Sequence, residues 1–386
     1  MANSFYSSQG EFYVTYFSLT GRDLAKLTAS LLLSAGLFGV LGLFVVLIMQ
    51  WLTLQTYASE GSNKHGISEV QSSRLGGLGV FLGVCISLVY FEWEESIGLN
   101  SMTHSGVGAV VWFGIIICAL LGLVEDVRNG SLSPRFRLVA KTLVLLLIFI
   151  ITPELVPSEV GIFLLDWLLG VPVIAIVLTL VFSVGFLNAV NMADGANGLL
   201  PGILVVSFYI FSAEVGGVEF ASLLIGCGVF LIYNVISGRL FLGDAGSYGL
   251  GAAVLLSALF VYSKGLVSLP FLAVLFFYPC FDLLVSIVRR KIAGVSIMQP
   301  DNDHLHNRVH GFFRTFFSAK TTANSVTGVS VAFASSGFAL VGYLSGLIPI
   351  TSHLWLWVFA LQCVLYTTVF FSLGKVKISL NNEVIA

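Results

Sequence analysis

Charged side chains are scarce in this sequence. Asp, Glu, Lys and Arg make up 10% of the 386 residues, whereas a soluble domain carries about 25%. Apolar residues make up 57% of the chain, and the mean hydropathy is +0.98. A surface with so little charge excludes an ordinary water-soluble protein, so the chain is expected to lie in a lipid bilayer.

Paired cysteines and a cleavage-site pattern near the start of the sequence are also missing. The five cysteines are single residues within apolar runs, without the CxxC or Cys/His spacing that binds metal. They are therefore expected to be small core residues. Residues 1–25 contain Glu11 and Asp23 and show no cleavage-site pattern after a short apolar core, so no cleaved signal peptide is predicted.

What the sequence has instead is a series of long apolar runs. A membrane-spanning helix needs about 20 apolar residues, and eleven segments approach that length. They lie near 28–53, 76–91, 107–124, 138–152, 170–187, 199–213, 220–236, 249–262, 267–288, 324–347 and 354–373. The predicted fold class is an all-α polytopic membrane protein of about 11 transmembrane helices, with residues 1–386 forming a single domain.

Positive charge is divided unevenly between the loops. If all eleven segments span the membrane, the loops of one side hold, together with Lys141, 15 of the 18 Lys and Arg residues. The other side keeps Arg22, Lys26 and Lys264. Because Lys and Arg accumulate on the cytoplasmic side of membrane proteins, the N-terminus is predicted to lie outside and the C-terminus in the cytoplasm.

Unusual polar residues concentrate at the predicted cytoplasmic ends of the helices. They fall in SSRLGGLGVFLG (72–83), GLVEDVRNGSLSPRFRLVAK (122–141), NAVNMADGANG (188–198), NVISGRLFLGDAGSYGLG (234–251) and the loop 289–314. Each has an ordinary interpretation when taken alone, since Asp-Gly is a common turn pair and glycine allows close packing of membrane helices. Their conjunction on one face predicts an active site built from cytoplasmic loops.

The residue types in these segments indicate the chemistry. Carboxylates on several short loops would repel each other unless a cation lay among them, and Mg²⁺ accepts few protein oxygens together with substrate phosphates. Gly-rich turns at helix starts direct backbone N–H groups toward anions. Arg137 and Lys141 follow the acidic pair at 125–126 closely enough to compensate phosphate charge. The combination favours phosphoryl transfer on a lipid.

These motifs, in this order, resemble the polyprenyl-phosphate N-acetylhexosamine-1-phosphate transferases of glycosyltransferase family 4, over roughly residues 28–373. The resemblance rests on GGLGVFLG, GLVEDVRNGSLSPRFRL, NAVNMADGANGL, FLGDAGSYGLG and DHLHNRVH. It implies transfer of a HexNAc-1-phosphate from UDP-GlcNAc or a related UDP-sugar to undecaprenyl phosphate, with release of UMP. The reaction would start a lipid-linked cell-surface glycan such as the O-antigen of lipopolysaccharide.

The same resemblance implies the surroundings of the enzyme. It implies a Mg²⁺ cofactor, with Mn²⁺ as the alternative, and a location in the bacterial inner membrane. Relatives often dimerise, so a homodimer is one expected assembly, and no nucleic-acid partner is expected.

Position by position, the resemblance assigns candidate roles to individual residues. The candidate catalytic residues are Glu125, Asp126, Asp194, Asp244, His304 and His306. The candidate substrate-binding residues are Arg137, Lys141, Asn188, Asn191, Asn197, Asn234 and Phe241. Asp244 and Asn191 form the expected metal pair. Two positions depart from the usual pattern, because Glu125 replaces the first Asp of an Asp-Asp pair and Asn307 stands where many members carry a third His.

Several alternatives stay open from the sequence. Phospho-N-acetylmuramoyl-pentapeptide transferase of peptidoglycan synthesis belongs to the same family, although NMADGANGL and HLHN fit the simpler-sugar branch better. A secondary transporter also has many helices, but transporters bind their substrates near the bilayer midplane. Phosphoryl transfer can be direct or can pass through an aspartyl phosphate. Asp282, within an apolar run, is expected to have a structural rather than a catalytic role.

Overall fold

The computed structural model describes residues 2–6, 12–16, 21–55, 59–60, 72–97, 103–128, 131–296 and 302–383. Residues 129–130 of the acidic-pair motif and 297–301 of the histidine loop lie outside the described residues. The helices are α1 Gly21–Thr53, α2 Gly76–Ser96, α3 Ala109–Val127, α4 Pro134–Ile151, α5 Phe163–Leu169, α6 Pro172–Ala193, α7 Leu199–Val215, α8 Val218–Ser237, α9 Gly243–Ser263, α10 Leu269–Leu275, α11 Phe277–Ile292, α12 Leu305–Phe313, α13 Lys320–Ala332, α14 Phe338–Ser345 and α15 Trp355–Glu383.

Short non-α elements join the helices. A 3-10 turn at Pro153–Leu155 follows α4, and a π-helical turn at Phe333–Gly337 continues α13 into α14. Two small antiparallel strand pairs complete the described chain. They are β1 Ala2–Tyr6 with β2 Phe12–Tyr16, and β3 Ser59–Glu60 with β4 Ser72–Ser73.

The prediction of an all-α polytopic membrane protein is confirmed. Eight of the described helices are long and apolar enough to cross a membrane, and α10 with α11, bent by 79°, would form a ninth span. Each of the eleven predicted segments is helical, but α7 is only 17 residues long and α4 carries three basic residues within its 18. The number of spans and their orientation stay predictions.

Helix α9 lies at the centre of the bundle. Every residue from Gly243 to Val261 is buried, and the helix packs against α2, α3, α6 and α7. Its small residues GDAGSYGLGAA let neighbouring backbones approach closely. On α3, a Cβ placed on Gly122 would overlap the Asp244 carbonyl group. The end of α3 is thereby held against the beginning of α9, where the acidic motifs lie.

Main-chain hydrogen bonds join the start of α2 to the segment that precedes α9. The Ser73 N–H donates to Arg239 at 3.0 Å, and the Phe241 N–H donates back to Ser73 at 2.9 Å. The Gly76 N–H then donates to the Phe241 carbonyl oxygen at 2.8 Å. The SSRLGG and FLGDAG motifs, far apart in sequence, are therefore joined by backbone rather than by side chains.

Helix α1 is broken in its middle. Gly39 has φ 67° and ψ −153°, which no helix accommodates. A Cβ placed on Gly42 would lie 2.7 Å from the Ser34 carbonyl oxygen, although eight residues of continuous helix would separate these positions by about 12 Å. The Phe38 ring lies against Gly228 of α8. The two halves of α1 therefore fold back on each other as a helical hairpin.

Candidate active site

Asp126, at the end of α3, caps the beginning of α9. Its Oδ1 accepts the Asp244 N–H at 2.9 Å and its Oδ2 accepts the Ala245 N–H at 2.7 Å. The guanidinium Nε of Arg74 lies 3.3 Å from Oδ1. A carboxylate at a helix N-terminus satisfies amide groups that have no partner inside the helix. Both oxygens of Asp126 are thus used to join α3, α9 and the loop before α2.

Asp244 is the centre of an ion-pair network. Its Oδ2 lies 2.9 Å from Arg137 Nη1, and its Oδ1 lies 3.7 Å from Arg74 Nη2. Arg137 also contacts the Tyr248 hydroxyl at 3.3 Å and approaches Glu125 to 3.8 Å. Anionic and cationic side chains therefore alternate in the site. An arginine in such an arrangement can exchange a carboxylate partner for a phosphate.

Glu125 shows why a longer acid is accommodated at this position. Its Oε2 accepts the Leu132 N–H at 3.0 Å, and the side chain is buried. The extra methylene lets the carboxylate reach across the turn between α3 and α4 while its other oxygen approaches Arg137. Glu125 thereby closes that turn and helps to hold the guanidinium in place.

Lys141 is a buried cation that contacts a side-chain amide and an aromatic ring. Its Nζ donates to Asn188 Oδ1 at 2.9 Å and lies 4.1 Å from the centroid of the Tyr248 ring. Only 2% of the residue is exposed. An amide oxygen and an aromatic face compensate the charge less than a carboxylate would, so Lys141 is well suited to bind an anionic substrate group.

The NMADG segment completes the acidic cluster. Asn191 Oδ1 accepts a hydrogen bond from the Ser247 hydroxyl at 2.6 Å. Because Ser247 follows Asp244 by one turn of α9, this contact places Asn191 beside the same turn. Asp194 directly follows α6, and the Gly243 N–H donates to it. The pKa of Asp194 is raised well above its ordinary value because the carboxyl is removed from water and lies near Asp126 and Asp244. Three carboxylates therefore share one site with Arg74 and Arg137.

Asn234 and Asn197 form the wall next to α13. Both ends of the Asn234 amide are bonded to backbone, since Oδ1 accepts the Gly198 N–H at 2.6 Å and Nδ2 donates to the Leu240 carbonyl at 2.7 Å. Asn197 Nδ2 donates to Ser325 at 3.3 Å, while its buried Oδ1 has no hydrogen-bond partner within the described part of the chain. Asn234 is thus a scaffold residue here, and Asn197 keeps an acceptor available. Phe241 is half-buried beside this wall.

The histidine motif meets the NMADG segment. A Cβ placed on Gly195 would overlap the imidazole of His306 at Nε2. His306 Nδ1 lies 2.6 Å from the Tyr278 hydroxyl, and His304 Nδ1 lies 2.7 Å from Asp282 Oδ2. The two rings are parallel, with centroids 5.6 Å apart. The structure therefore brings all the predicted site segments together at one end of the bundle.

A second ion-pair cluster anchors the histidine loop to α15. Arg308 donates from Nε and Nη2 to the two oxygens of Asp303 at 2.7 and 2.8 Å, and Arg289 also pairs with Asp303. These contacts hold the pKa of Asp303 below its ordinary value. The Arg308 guanidinium lies 3.6 Å above the centroid of the Phe370 ring and donates to the Phe370 carbonyl at 2.8 Å. The C-terminal helix thereby supports the loop.

Sequence reasoning missed several of these residues. They are Arg74, Ser247, Tyr248, Asp303 and Arg308. Arg74 lies in SSRLGGLGVFLG and Ser247 lies in FLGDAGSYGLG. Their place in a polar segment at a helix end was therefore the sequence feature that could have identified them. Asp303 and Arg308 flank the histidines, but a loop of mixed charge does not disclose which ions pair.

The residues present suit a weakly coordinated Mg²⁺ rather than a closed metal centre. Within the described residues, no group of three or more His, Cys, Asp and Glu side chains could hold a metal by itself. Mg²⁺, however, is commonly bound by one or two protein oxygens together with substrate phosphates. Asp244 and Asn191, joined through Ser247, supply a carboxylate and an amide oxygen on the same wall.

Comparison with known proteins decides the family. The family model of glycosyl transferase family 4 matches residues 109–262, which hold the acidic pair, NMADG and FLGDAG. The chain belongs to this family. It is 26% identical over 281 residues to the probable undecaprenyl-phosphate N-acetylglucosaminyl 1-phosphate transferase of Bacillus subtilis, covering 70% of this chain and 74% of that protein.

Two further relatives are named for different sugars. Decaprenyl-phosphate N-acetylglucosaminephosphotransferase of Mycobacterium leprae is 30% identical over 269 residues, covering 61% of this chain and 66% of the relative. Phospho-N-acetylmuramoyl-pentapeptide-transferase of Staphylococcus carnosus is 23% identical over 311 residues, covering 76% and 88%. The predicted glycosyltransferase family 4 membership and the enzyme class, a sugar-1-phosphate transferase, are confirmed. The roles of individual site residues and the metal stay predictions.

Proposed function

We propose that this family 4 enzyme transfers a HexNAc-1-phosphate from a UDP-sugar to undecaprenyl phosphate and releases UMP. The observation that carries the proposal is the convergence of Asp126, Asp194 and Asp244 with two guanidinium groups at one end of the bundle. Such a site binds phosphate groups at a membrane surface, where a lipid phosphate and a water-soluble nucleotide can both reach it. Its relatives are named for polyprenyl phosphate acceptors.

The proposed reaction is an attack by a phosphate oxygen of the lipid on the β-phosphorus of the UDP-sugar. The bond from that phosphorus to the oxygen bridging it to UMP breaks, and UMP leaves with the electron pair. A phosphate monoester has a second pKa of about 6, so the nucleophile is largely ionised near neutral pH. Positioning and charge compensation therefore contribute more than proton removal.

The chain's own residues divide this work. Arg137 exchanges its contact with Asp244 for a phosphate oxygen, and Lys141 supplies a second cation. Asp126 holds the α9 amides and Arg74 in position, and because both of its oxygens accept hydrogen bonds, it is poorly placed to form an aspartyl phosphate. These contacts support direct attack over the covalent route.

Asp244 and Asn191 would hold a Mg²⁺ ion. An ion held there would supply positive charge that compensates the diphosphate. Burial and the neighbouring carboxylates of Asp126 and Asp244 keep the pKa of Asp194 high, and a cation bound beside these groups would compensate their negative charge. Mn²⁺ is the alternative ion with similar ligand preferences.

The finer assignment concerns the pathway. We infer that the product starts a lipid-linked surface glycan, such as O-antigen, at the bacterial inner membrane. NMADGANGL and HLHN favour this simpler-sugar branch, and several relatives are named for N-acetylglucosamine. Transfer of phospho-N-acetylmuramoyl-pentapeptide is the second candidate, since a relative with that name aligns over 88% of its length.

One assay tests the proposal and its alternative together. The purified protein in detergent micelles is given undecaprenyl phosphate, Mg²⁺ and each of UDP-GlcNAc, UDP-GalNAc and UDP-MurNAc-pentapeptide in separate reactions. UMP release and the lipid diphosphate sugar are then measured. We expect turnover with a simple UDP-HexNAc. Turnover with the pentapeptide donor alone would establish the second candidate, and no UMP from any donor would overturn both.

A further inference from the structure

A polar stripe on α11 contacts the two histidines. Tyr278, Asp282 and Ser286 are spaced four residues apart, so they lie on one face of the helix. Each of them contacts an Nδ1 atom. Tyr278 contacts His306 at 2.6 Å, and Asp282 and Ser286 contact His304 at 2.7 and 3.3 Å.

The Asp282 carboxylate accepts hydrogen bonds from three groups. Its Oδ2 accepts from His304, and its Oδ1 accepts the Leu305 N–H at 3.1 Å and the Tyr366 hydroxyl at 2.6 Å. The residue is 4% exposed. Because a carboxylate only accepts hydrogen bonds, we assign a proton to His304 Nδ1. The Nε2 atom of His304 is then the acceptor when the ring is neutral.

Tyr278 imposes the opposite arrangement on His306. Its hydroxyl oxygen accepts the His306 backbone N–H at 3.4 Å, and we assign the hydroxyl hydrogen to His306 Nδ1, which lies 2.6 Å from the same oxygen. An imidazole that accepts at Nδ1 carries its proton on Nε2. That is the atom which lies against Gly195 of the NMADG segment. The parallel rings of the HxH motif are therefore chemically unlike.

We propose that Asp282 is a positioning residue that holds His304 with its proton on Nδ1, while Tyr278 holds His306 with its proton on Nε2. The motif then presents one acceptor and one donor rather than two equivalent imidazoles. The donor at His306 stabilises negative charge, and the acceptor at His304 orders a protonated or hydroxyl-bearing group of a substrate. This inference rests on the proposed transferase function, within which it assigns unequal roles to the two histidines.

A double-mutant cycle between Asp282→Asn and His304→Ala tests the proposal. An Asn amide has one accepting oxygen for three converging donors, so it forces His304 out of its assigned tautomer. By analogy with other Asp–His pairs we expect kcat to fall by about 10²–10⁴-fold with KM for the UDP-sugar changed little. In the His304→Ala background the same substitution should change kcat less than about 3-fold.

Two controls keep the test decisive. Asp166→Asn on α5, where the carboxylate accepts the Val160 N–H away from the site, should leave kcat unchanged. Tyr366→Phe removes a donor to Asp282 but leaves the His304 contact, so its loss should be below about 10-fold. An Asp282→Asn loss of equal size with and without His304, or an equal loss in Tyr366→Phe, would overturn the inference.

A second cycle applies if Asp282→Asn does not fold. Tyr278→Phe should lower kcat about 10-fold, the size expected for one hydrogen bond to an imidazole, and should have no further effect in His306→Ala. Tyr343→Phe, which removes a hydroxyl bonded to Glu214 at 2.8 Å, is the matched control. Additive losses would contradict the proposal. A wild-type protein that releases no UMP would instead count against the proposed function itself.

The hairpin in α1 carries an independent inference about sidedness. Lys26, near the start of α1, lines a small cavity with Gln50 from the other arm and with Tyr233 and Arg239. Tyr233 also contacts Gln50 at 2.5 Å and Thr53 at 3.1 Å. Both ends of α1 therefore lie at the end of the bundle that holds the active-site loop. The arms before and after Gly39 are about 27 and 21 Å long at 1.5 Å per residue, and both are shorter than the roughly 30 Å hydrocarbon core.

We infer that α1 is a re-entrant hairpin and that the chain enters it from the active-site side of the membrane. The charge distribution supports this, since adding Arg22 and Lys26 to that side raises its share from 15 to 17 of the 18 Lys and Arg residues. The predicted outside location of the N-terminus would then be replaced by a cytoplasmic one.

Labelling with a membrane-impermeant maleimide in intact cells tests the sidedness. Single cysteines are placed at Ser18, Thr351 and Ser318 in a variant without the native cysteines. Ser318 marks the exposed turn after the histidine loop, and Thr351 marks the turn between α14 and α15 at the other end. We expect Ser18→Cys to be labelled or protected together with Ser318→Cys. Labelling that matches Thr351→Cys would overturn the inference.

Discussion

The carboxylate half of the site, built by α3, α4, α6 and α9, and the histidine half, built by α11, α12 and α15, balance charge in different ways. In the first half, guanidinium groups compensate the carboxylates, and Asp244 shares its two oxygens between Arg137 and Arg74. In the second half, Asp282 is satisfied by an imidazole, a hydroxyl and a backbone amide.

The difference indicates which half changes partners during a reaction. Long, partly exposed arginine side chains can leave a carboxylate for a phosphate, because their planar fork fits either anion. The buried groups around Asp282 have no comparable alternative partner, since a carboxylate deprived of its donors in an apolar interior is strongly destabilised. We therefore expect the arginines of the first half to exchange a carboxylate for the diphosphate, while the contacts around Asp282 in the second half stay unchanged. The following predictions test that contrast.

Asp244→Asn should have the largest effect. Its loss removes the partner of two arginines and the carboxylate of the expected metal pair, and we expect UMP release to fall at least about 10³-fold. The measurement is turnover of the purified variant over a range of Mg²⁺ concentrations. Asp166→Asn is the matched control for an Asp outside the site. Turnover near that of the wild type would remove Asp244 from the mechanism.

Arg137→Lys should have the next largest effect. One nitrogen of Arg137, Nη1, contacts both Asp244 and Tyr248. Lysine keeps the charge but loses the planar guanidinium whose remaining N–H groups can bind a phosphate, so we expect a loss of about 10- to 100-fold in kcat/KM for the UDP-sugar. Arg128→Lys, an exposed position at the end of α3, serves as the control. An unchanged kcat/KM in Arg137→Lys would show that its charge alone suffices.

Gly122→Ala should destabilise the joint between α3 and α9. The added Cβ would overlap the Asp244 carbonyl, and overpacking of this kind costs about 1–3 kcal/mol. Thermal unfolding in detergent should show a lower Tm, and kcat should fall because Asp126 and Asp244 separate. Gly108→Ala at the N-cap of the same helix, where a Cβ meets nothing within 4 Å, should leave both unchanged. Equal Tm values for the two variants would contradict the close approach.

Arg308→Gln should have the smallest effect. Asp303 keeps its contact with Arg289, and its side chain is 43% exposed, so solvent already screens the pair. We expect a 3- to 10-fold loss of kcat, about the effect of one weakened polar contact, with little change in Tm. Arg314→Gln, which loses only contacts to backbone carbonyls, is the comparison. A loss as large as that of Arg137→Lys would mean that Arg308 itself contacts a substrate.

The sequence was sufficient for the class of fold and for naming the polar segments that the structure brings together. Long apolar runs can be stable only as helices in a bilayer, because every backbone group must be bonded within its own segment. The scarcity of charge likewise made the few polar segments conspicuous, and the structure brings the acidic pair, NMADG, FLGDAG and the HxH motif together. Site residues such as Asp126 could be named because their motifs resemble those of a known family.

Other features depended on contacts between distant segments. Hydropathy predicted a single span over residues 28–53, whereas Gly39 breaks that helix. Hydropathy averages over many residues, so it does not detect a change of chain direction at one residue. Asn234 was expected to face the nucleotide, yet its amide joins Gly198 to Leu240. Asp282 was assigned a structural role with an unnamed neighbour, and that neighbour is His304, 22 residues away in the chain.

The sequence by itself determined that this protein is a helical membrane protein with its polar segments at helix ends, because hydropathy and charge are properties of each segment alone. Only the tertiary structure decided which ions pair, which carboxylate caps α9 and which side chain each histidine contacts. These depend on distances of about 3 Å between side chains from different helices. Packing fixes such distances, and no local pattern contains them.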